Sequence, residues 1–278
     1  MRHQGLIVTS VFALCAAGGL ALAQFKPEEI AQREQWEQFL VTAEIVKSER
    51  IGVGVTKPWK LYLKKGDVET KAAWKNPSGR DNGVDDSWKA EIAGYRLDKL
   101  IGLNSVPVVV EREFKGKQGC LSLWAESATN YLKLMESGKS IPQEAIERTD
   151  KMKYILRLWD CLIANADRTQ ENILLTEDWR TIIFDHSRAF QTDRKFVRQL
   201  VFGTNGIFKL DDGRPMLFRR VPREMVERIK GLTAPAIKEA VGPYLTDRQV
   251  DDIIARIPLI MKELETLIQQ SGEANVLY

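Results

Sequence analysis

The pattern of apolar residues changes once along this chain of 278 residues, near Glu126. Before that point, short alternating runs separated by glycine-containing turns predict β-strands, with one embedded helix at about residues 87–101. After it, apolar residues recur at helical spacing, as in residues 150–164. The chain is therefore predicted to be an α+β protein with a small β-rich lobe at residues 24–125 and a larger helical lobe at residues 126–278.

Several further elements are predicted from local signals. They are a helix at 25–46, a glycine-bearing strand or loop at 50–57, a hairpin around Gly66, a loop at 76–86, and helices at 128–137, 222–239 and 246–270. Thr246 and Gln249 form a capping box at the start of the last helix. Pro258 is expected to kink or divide that helix, because proline removes a backbone donor.

The N-terminal segment reads as an export signal. Arg2 and His3 precede an apolar stretch that ends in Ala21-Leu22-Ala23, an A-x-A cleavage pattern. Residues 1–23 are therefore predicted to be a signal peptide, and the mature protein is expected to be periplasmic or secreted. An uncleaved anchor is the alternative, because the apolar stretch is nearly long enough to cross a bilayer. Membrane attachment is expected only in that case.

Composition excludes several function classes. The formal net charge is only +3 and is evenly spread, so no nucleic-acid partner is expected. Without residues 1–23, only Cys120 and Cys161 remain, and two buried free thiols are favoured over a single disulfide. His186 is then the one remaining histidine. Its sequence neighbours cannot both reach its ring, which disfavours a Ser-His-Asp triad, and the lack of ligand-pair spacing disfavours a zinc site.

Residues 165–190 bring several oxygen-bearing side chains together. Two short apolar runs in this segment flank a polar turn and predict a β-hairpin. In an antiparallel hairpin the start of the first strand lies beside the end of the second, so Asn172 and Asp185 are expected at the same mouth. Asp167 lies five residues before Asn172, in the turn that follows a helix.

This ordered set predicts a site for phosphoryl transfer. A single Asp or Asn in a turn is common by chance, but the spacing and order of all three are not. Amide and carboxylate oxygens suit a hard cation such as Mg²⁺ or Mn²⁺, so Asp185 and Asn172 are predicted metal ligands. Asp167, held off the metal, is the predicted base that accepts a proton from an attacking hydroxyl.

The first half of the chain supplies residues that suit a nucleotide. Lys75 ends a strand on the same face as the small Ala73, from which it could reach α- and β-phosphates. Glu91 lies on a buried helix face and requires a cation, for which Lys75 is the natural candidate. A strand lysine paired with a helix glutamate positions ATP in kinases. Gly52 and Gly54 could cover the phosphates with backbone amides.

Three segments carry a resemblance to a known family. Residues 91–98 (EIAGYRLD), 165–168 (NADR) and 184–190 (FDHSRAF) resemble the ion-pair helix, the catalytic loop and the metal-binding segment of the protein-kinase-like superfamily. Within it, the chain most resembles the secretory-pathway kinases of the Golgi casein kinase and xylose kinase type. It is more distantly similar to HipA-type kinases and type II phosphatidylinositol kinases. The resemblance covers residues 50–265.

The resemblance implies a two-lobed kinase fold with ATP and Mg²⁺ or Mn²⁺ in the cleft. By matching position it implies Lys75 and Glu91 as ATP-binding residues, Asp167 as the catalytic base and Asp185 as a metal ligand. Asn172 as a second ligand follows from the predicted hairpin and is shared with the broader superfamily.

The implied reaction moves the γ-phosphoryl group of ATP to a hydroxyl acceptor, either Ser or Thr of an exported protein or a sugar. Residues 121–125 should form the hinge, with Leu123 and Trp124 presenting their backbone to adenine. Two alternatives are an inactive nucleotide-binding scaffold and an enzyme that transfers AMP on the same fold. The chain departs from the family pattern at Asn165, where protein kinases have a histidine, and at Ser187, where glycine is common.

Overall fold

A computed structural model describes residues 25–52, 58–126, 128–165 and 167–278. The first lobe is built on a five-stranded sheet. Its strands are β1 Glu44–Arg50, β2 Trp59–Lys65, β3 Val68–Lys75, β6 Val109–Phe114 and β7 Lys117–Leu123. All neighbours are antiparallel, in the order β1-β2-β3-β7-β6. Gly66, at φ 60°, lies in the predicted turn between β2 and β3.

Alternation along β3 gives its two faces different roles. Ala72 and Trp74 are buried, whereas Ala73 and Lys75 on the other face are partly exposed. Trp74 packs edge-on against Phe114, with ring centroids 5.4 Å apart. Trp74 therefore packs on one face of β3, and Lys75 lies on the opposite face, where it contacts Asp185 of the second lobe.

Helix α3 Trp88–Ile101 crosses the sheet and carries Glu91. Ser87 caps its N-terminus by accepting a hydrogen bond from the N–H of Lys89, and Gly102 ends it at φ 68°. Its residues are buried on two sides, as the sequence predicts for a helix with two apolar stripes.

The second lobe is mainly helical. Its helices are α4 Tyr131–Glu136, α5 Gln143–Ile163, α6 Arg194–Arg198, α7 Arg223–Lys230, α8 Ala234–Val241 and α9 Asp247–Ser271. A small antiparallel sheet consists of β8 Ala128–Asn130, β9 Ile173–Thr176 and β10 Thr181–Ile183, in the order β10-β9-β8. The β9–β10 pair is the predicted hairpin, with Ile173 opposite Ile183. Together the two lobes give the predicted α+β, kinase-like architecture.

The segment predicted as a loop at 76–86 is instead a second hairpin. Strands β4 Ser78–Asp81 and β5 Val84–Ser87 pair in register across a two-residue turn. The turn residues Asn82 and Gly83 have φ values of 50° and 78°. Asn-Gly is the preferred sequence for such a turn, and its signal was outweighed by the polar composition around it.

Other boundaries also differ from the sequence predictions. The N-terminal helix is two helices, α1 Pro27–Ala31 and α2 Arg33–Thr42, and it gives way to β1 at Glu44. The helix predicted at 128–137 begins with strand β8, and the one at 222–239 is divided at residues 231–233. Helix α9 has the predicted capping box and runs through Pro258 without division.

The structure also bears on the predictions about the two cysteines and about a membrane-spanning segment. Cys120 and Cys161 are buried free thiols, as expected. Among the described helices, none combines the length and apolarity that a bilayer-crossing segment needs. The signal peptide predicted at residues 1–23 and most of the segment at 50–57 lie outside the described residues.

Candidate active site

Lys75 lies at the centre of a three-residue ion cluster between the lobes. Its Nζ is 2.5 Å from Glu91 Oε1 and 2.5 Å from Asp185 Oδ1. The Lys75 and Glu91 side chains are only 12% and 5% exposed. Strand β3 contributes the lysine, α3 the glutamate, and the segment after β10 the aspartate. The lysine–glutamate pair expected from the sequence is present, and a carboxylate of the second lobe joins it.

Burial and the three charges set the protonation of the cluster. Burial alone would lower the pKa of Lys75, but the Asp185 and Glu91 carboxylates outweigh it and raise that pKa. Burial raises the pKa of Glu91, and Lys75 opposes the shift. Burial also acts to raise the pKa of Asp185, but the positive charge of Lys75 outweighs it, and the pKa of Asp185 falls. Lys75 is therefore an ammonium that faces an ionised Asp185.

Asp185 has an unusual backbone conformation. Its φ is 61°, in the left-handed region that few residues other than glycine adopt, although Asp tolerates it better than most. Ser187, which is 4% exposed, donates a hydrogen bond from Oγ to Asp185 Oδ1 at 3.3 Å. Ser187 therefore contacts the predicted metal ligand directly. Strained backbone conformations such as that of Asp185 are often found at functional sites.

Asn172 and Asp167 meet at the mouth of the β9–β10 hairpin. The N–H of Phe184 donates to the carbonyl of Asn172 at 3.3 Å, which sets the end of β10 beside the start of β9. Asn172 Nδ2 donates to the backbone carbonyl of Asp167 at 3.0 Å. This bond fixes the orientation of the amide and leaves Oδ1 with no hydrogen bond from any described residue. An amide oxygen in that state is suited to a hard cation.

The residues present fit a cation that is bound jointly by protein side chains and by the phosphates of a nucleotide. Within the described ranges, no group of three or more His, Cys, Asp or Glu side chains is arranged to hold a metal on its own. Mg²⁺ is commonly bound by one or two carboxylates and completes its shell with substrate phosphates and water. Asp185 and Asn172 match that pattern, and their assignment as metal ligands stays a prediction.

Asp167 is more accessible than the three charged residues of the cluster. Its side chain is 45% exposed, and its Oδ2 lies 3.8 Å from Nη1 of Arg188. Burial, followed by the charges of Asp185 and Asp86, raises its pKa, whereas Arg188 lowers it. Its N–H donates to Asn165 Oδ1 at 3.1 Å, so Asn165 shapes the loop around it. An accessible carboxylate with a raised pKa is suited to accept a proton.

Arg168 joins the loop of Asp167 to the segment of Asp185, a contact that sequence reasoning missed. Its guanidinium pairs with Asp160 at 3.1 Å, donates to the carbonyl of Phe184 at 2.8 Å, and contacts His186 Nε2 at 3.0 Å. Asp160 is fully buried in α5. A carboxylate within an apolar helical run needs a buried cation, and this signal could have identified the pair.

The glycine and hinge residues are less closely tied to the cluster. Gly52 is exposed at the end of β1, and Gly54 lies outside the described residues. The N–H groups of Leu123 and Trp124 already donate to the carbonyls of Val108 and Lys71, at 2.9 and 3.0 Å. These two donors are therefore occupied within the first lobe. A backbone hydrogen bond from Leu123 or Trp124 to adenine would therefore have to use a carbonyl oxygen.

Comparison with known proteins places the fold. No family model matches the sequence, and no curated protein matches it. The Golgi casein kinase with Mn/ADP bound superposes with a TM-score of 0.62 at 14% identity, covering 92% of this chain and 80% of that one. The hydra Fam20 structure with sugar gives 0.60 at 15% identity, covering 89% and 92%.

A bacterial kinase is similar over nearly its whole length. The Helicobacter pylori proinflammatory kinase CtkA gives a TM-score of 0.54 at 12% identity, covering 84% of this chain and 98% of that one. The superpositions establish the fold, whereas sequence identities this low assign no roles to individual residues. With two lobes that meet at a lysine, glutamate and aspartate cluster, and with these structural neighbours, the chain has the protein-kinase-like fold.

Proposed function

We propose that the protein is an ATP-dependent phosphotransferase that acts on a hydroxyl acceptor in the exported compartment. The observation that carries this proposal is the position of Lys75, 2.5 Å from both Glu91 and Asp185. Burying three charges from the two lobes costs free energy unless the charges pair with one another or bind a ligand. In this fold the lobes meet where a nucleotide triphosphate is held.

The residues divide the work of phosphoryl transfer between them. Lys75, kept charged by its two carboxylates, would contact the α- and β-phosphates of ATP. Asp167 would accept the proton of the acceptor hydroxyl as its oxygen bonds to the γ-phosphorus. The bond from that phosphorus to the β,γ-bridging oxygen breaks, and ADP leaves. Arg168 and Asn165 keep the loop of Asp167 in place during this step.

Asp185 and Asn172 would hold Mg²⁺ or Mn²⁺, which neutralises charge that develops on the phosphates. The Mn/ADP complex of the Golgi casein kinase supports a nucleotide and a divalent cation as cofactors. The Ser187 hydroxyl and the left-handed φ of Asp185 fix the carboxylate for this purpose.

The acceptor class is drawn from the neighbours and the compartment from the sequence. One neighbour is a casein kinase and another was solved with sugar, which supports a protein hydroxyl or a glycan hydroxyl as the acceptor. The A-x-A pattern at residues 21–23 supports export.

Labelled ATP tests the proposal. Purified protein is incubated with γ-labelled ATP, Mn²⁺ or Mg²⁺, and the exported fraction, and the labelled products are identified. We expect Asp167→Asn to lose about 10²- to 10⁴-fold in transfer rate while it retains ATP affinity, because only the proton acceptor is removed. Asp211→Asn, at an exposed turn, is the matched control and should keep the wild-type rate. An active Asp167→Asn variant would show that the base is assigned wrongly.

The same experiment distinguishes the alternatives. A thermal shift with ATP and Mn²⁺, with neither a labelled product nor an adenylyl mass gain under any condition, would favour an inactive scaffold. Intact-mass measurement of the product separates the two transfer reactions, because a phosphoryl and an adenylyl group differ in mass. A mass gain of one adenylyl group would replace phosphoryl transfer by AMP transfer.

A further inference from the structure

The β4–β5 hairpin of the first lobe contacts one segment of the second lobe, residues 187–193. The N–H of Ser87 donates to the carbonyl of Ser187 at 2.9 Å. The N–H of Asp85 donates to Gln191 Oε1 at 2.9 Å, and Gln191 Nε2 returns a bond to the carbonyl of Asp85 at 2.8 Å. Gln191 is 0% exposed, so the hairpin backbone satisfies an amide that is buried in the other lobe.

An ion pair of Arg80, which lies opposite Asp85 in the hairpin, reaches the same segment. Arg80 Nη2 lies 2.7 Å from Asp193 Oδ2, and the same guanidinium pairs with Asp85 at 3.2 Å and donates to the carbonyl of Gly83 at 2.9 Å. The hairpin is thus tied at its base and at its middle to the chain that follows Asp185. Its position determines where residue 188 can lie.

Arg188 lies between the hairpin and the predicted base. Its Nη2 donates to Asp81 Oδ2 at 2.9 Å, and its Nε is 3.6 Å from Asp86 Oδ2. Its Nη1 is 3.8 Å from Asp167 Oδ2. The guanidinium is planar and rigid, so two carboxylates that hold two of its nitrogens also fix the third.

The distances separate holding from contact. At 2.9 Å the bond to Asp81 is a hydrogen bond, whereas 3.8 Å to Asp167 is an ion pair without one. The attraction of Arg188 therefore fixes the place of the Asp167 carboxylate and leaves its oxygens able to accept a proton from a hydroxyl. An arginine in direct hydrogen bonding would compete for those oxygens.

We propose that Arg188 is a positioning residue for Asp167, held in place from the opposite lobe by Asp81 and Asp86 of the β4–β5 hairpin. This inference rests on the proposed phosphoryl transfer. It makes correct placement of the base depend on contact between the lobes, since the carboxylates that hold Arg188 belong to the first lobe and Asp167 to the second. Arg188 acts through Asp167 and does not itself take part in the bond changes.

Steady-state kinetics of four variants test the inference, together with calorimetric binding of ADP and Mn²⁺. Arg188→Gln should lower kcat about 10- to 100-fold with unchanged KM for ATP and unchanged ADP affinity, since misplacement of a catalytic group costs rate and not nucleotide binding. Arg188→Lys should recover part of the rate, because lysine keeps the charge but not the planar fork. Asp81→Asn should lower kcat less than Arg188→Gln. Asp67→Asn, in the exposed β2–β3 turn, should match the wild type.

The double variant and a second measurement make the outcomes decisive. Arg188→Gln combined with Asp81→Asn should be no slower than Arg188→Gln alone, because both substitutions remove the same interaction, the one between Arg188 and Asp81. Wild-type kcat in Arg188→Gln, additive losses in the double variant, or loss of ADP binding together with kcat would each overturn the inference. Hydrogen exchange of residues 187–193 should be faster in Asp81→Asn than in Asp67→Asn, and equal rates would count against the hairpin as the anchor. A wild-type protein that transfers nothing would refute the proposed function itself, a distinguishable result.

Discussion

The protonation of His186 follows from the three side chains around its ring. The indole N–H of Trp159 and Nη2 of Arg168 lie 3.2 and 3.0 Å from its Nε2. Indole and guanidinium nitrogens donate and do not accept, so Nε2 is the acceptor and the neutral ring carries its proton on Nδ1. Burial, with Arg168 beside it, keeps the pKa of His186 well below its usual value. The protonated nitrogen lies 4.0 Å from Glu91 Oε2, so a neutral histidine spans the distance between Arg168 and Glu91.

The buried carboxyl group of Asp98 makes the stability of the fold depend on pH. Burial raises its pKa to about 6, against the opposing effects of Arg33 and of the N–H groups of Ser105 and Val106. A raised carboxyl pKa favours folding below about pH 4, and this contribution is lost as the pH rises through 6. Arg33, 3.4 Å away, offsets part of that loss. We therefore expect Arg33→Met to lower the free energy of unfolding by about 3 kcal/mol at pH 7.5 and by less at pH 5.

Urea unfolding at the two pH values measures this difference. Arg214→Met is the matched control, since Arg214 is 73% exposed and pairs only locally with Asp212. It should change stability by less than about 0.5 kcal/mol at either pH. A deficit in Arg33→Met that is the same at pH 5 and 7.5 would mean that its cost comes from lost packing and not from the Asp98 charge.

At the scale of elements, the end of helix α3 depends on Gly102. This residue has φ 68°, and a Cβ there would lie 1.7 Å from Nη1 of Arg228. That nitrogen donates to the carbonyl of Ile101 at 3.1 Å, which fastens the helix carrying Glu91 to α7. Gly66 has a similar φ of 60° with nothing within 4 Å of a Cβ. The two glycines therefore separate backbone strain from a steric clash.

We predict that Gly102→Ala is more destabilising than Gly66→Ala. Both should lose about 1 kcal/mol from the left-handed conformation. Gly102→Ala should lose about 1 kcal/mol more, because the displaced Arg228 gives up its bond to Ile101. Chemical denaturation of both variants provides the measurement. Equal losses would show that the Arg228 side chain moves aside at no cost.

Local signals predicted the elements whose residues decide their own conformation. Helix α3 has a serine cap, apolar spacing and a terminal glycine, and α9 has a capping box, so both were predicted within a few residues. Strand β8 depends on a partner strand elsewhere in the fold, and the Asn-Gly turn signal of the β4–β5 hairpin is outweighed by the polar composition around it. The same distinction holds at the site. Lys75 and Glu91 were predicted to pair because a buried carboxylate requires a cation, and Asp185 was predicted beside Asn172 and Asp167 from the β9–β10 hairpin. Arg188, in contrast, depends on an unpredicted hairpin.

At the scale of the whole molecule, α3 belongs to both lobes. It lies between strands β5 and β6 of the first lobe, yet its Arg96 donates to the carbonyl of Val241 at 3.4 Å. Tyr244 donates from its hydroxyl to Glu111 of β6 at 2.9 Å. A single buried apolar cluster includes residues of both lobes. The lobes therefore share core packing in addition to the polar contacts of the β4–β5 hairpin.

Shared packing predicts that the two lobes unfold together. Differential scanning calorimetry of the protein should show one transition, with equal calorimetric and van't Hoff enthalpies. ADP with Mn²⁺ at 100 times its dissociation constant should stabilise the fold by about 2.7 kcal/mol and move the whole transition upward. Lys75→Met should unfold in one transition without that shift, because it keeps the shared core and loses the ammonium that contacts phosphate. Two transitions, of which the ligand moves only one, would mean that the lobes are energetically separate and that α3 does not couple them.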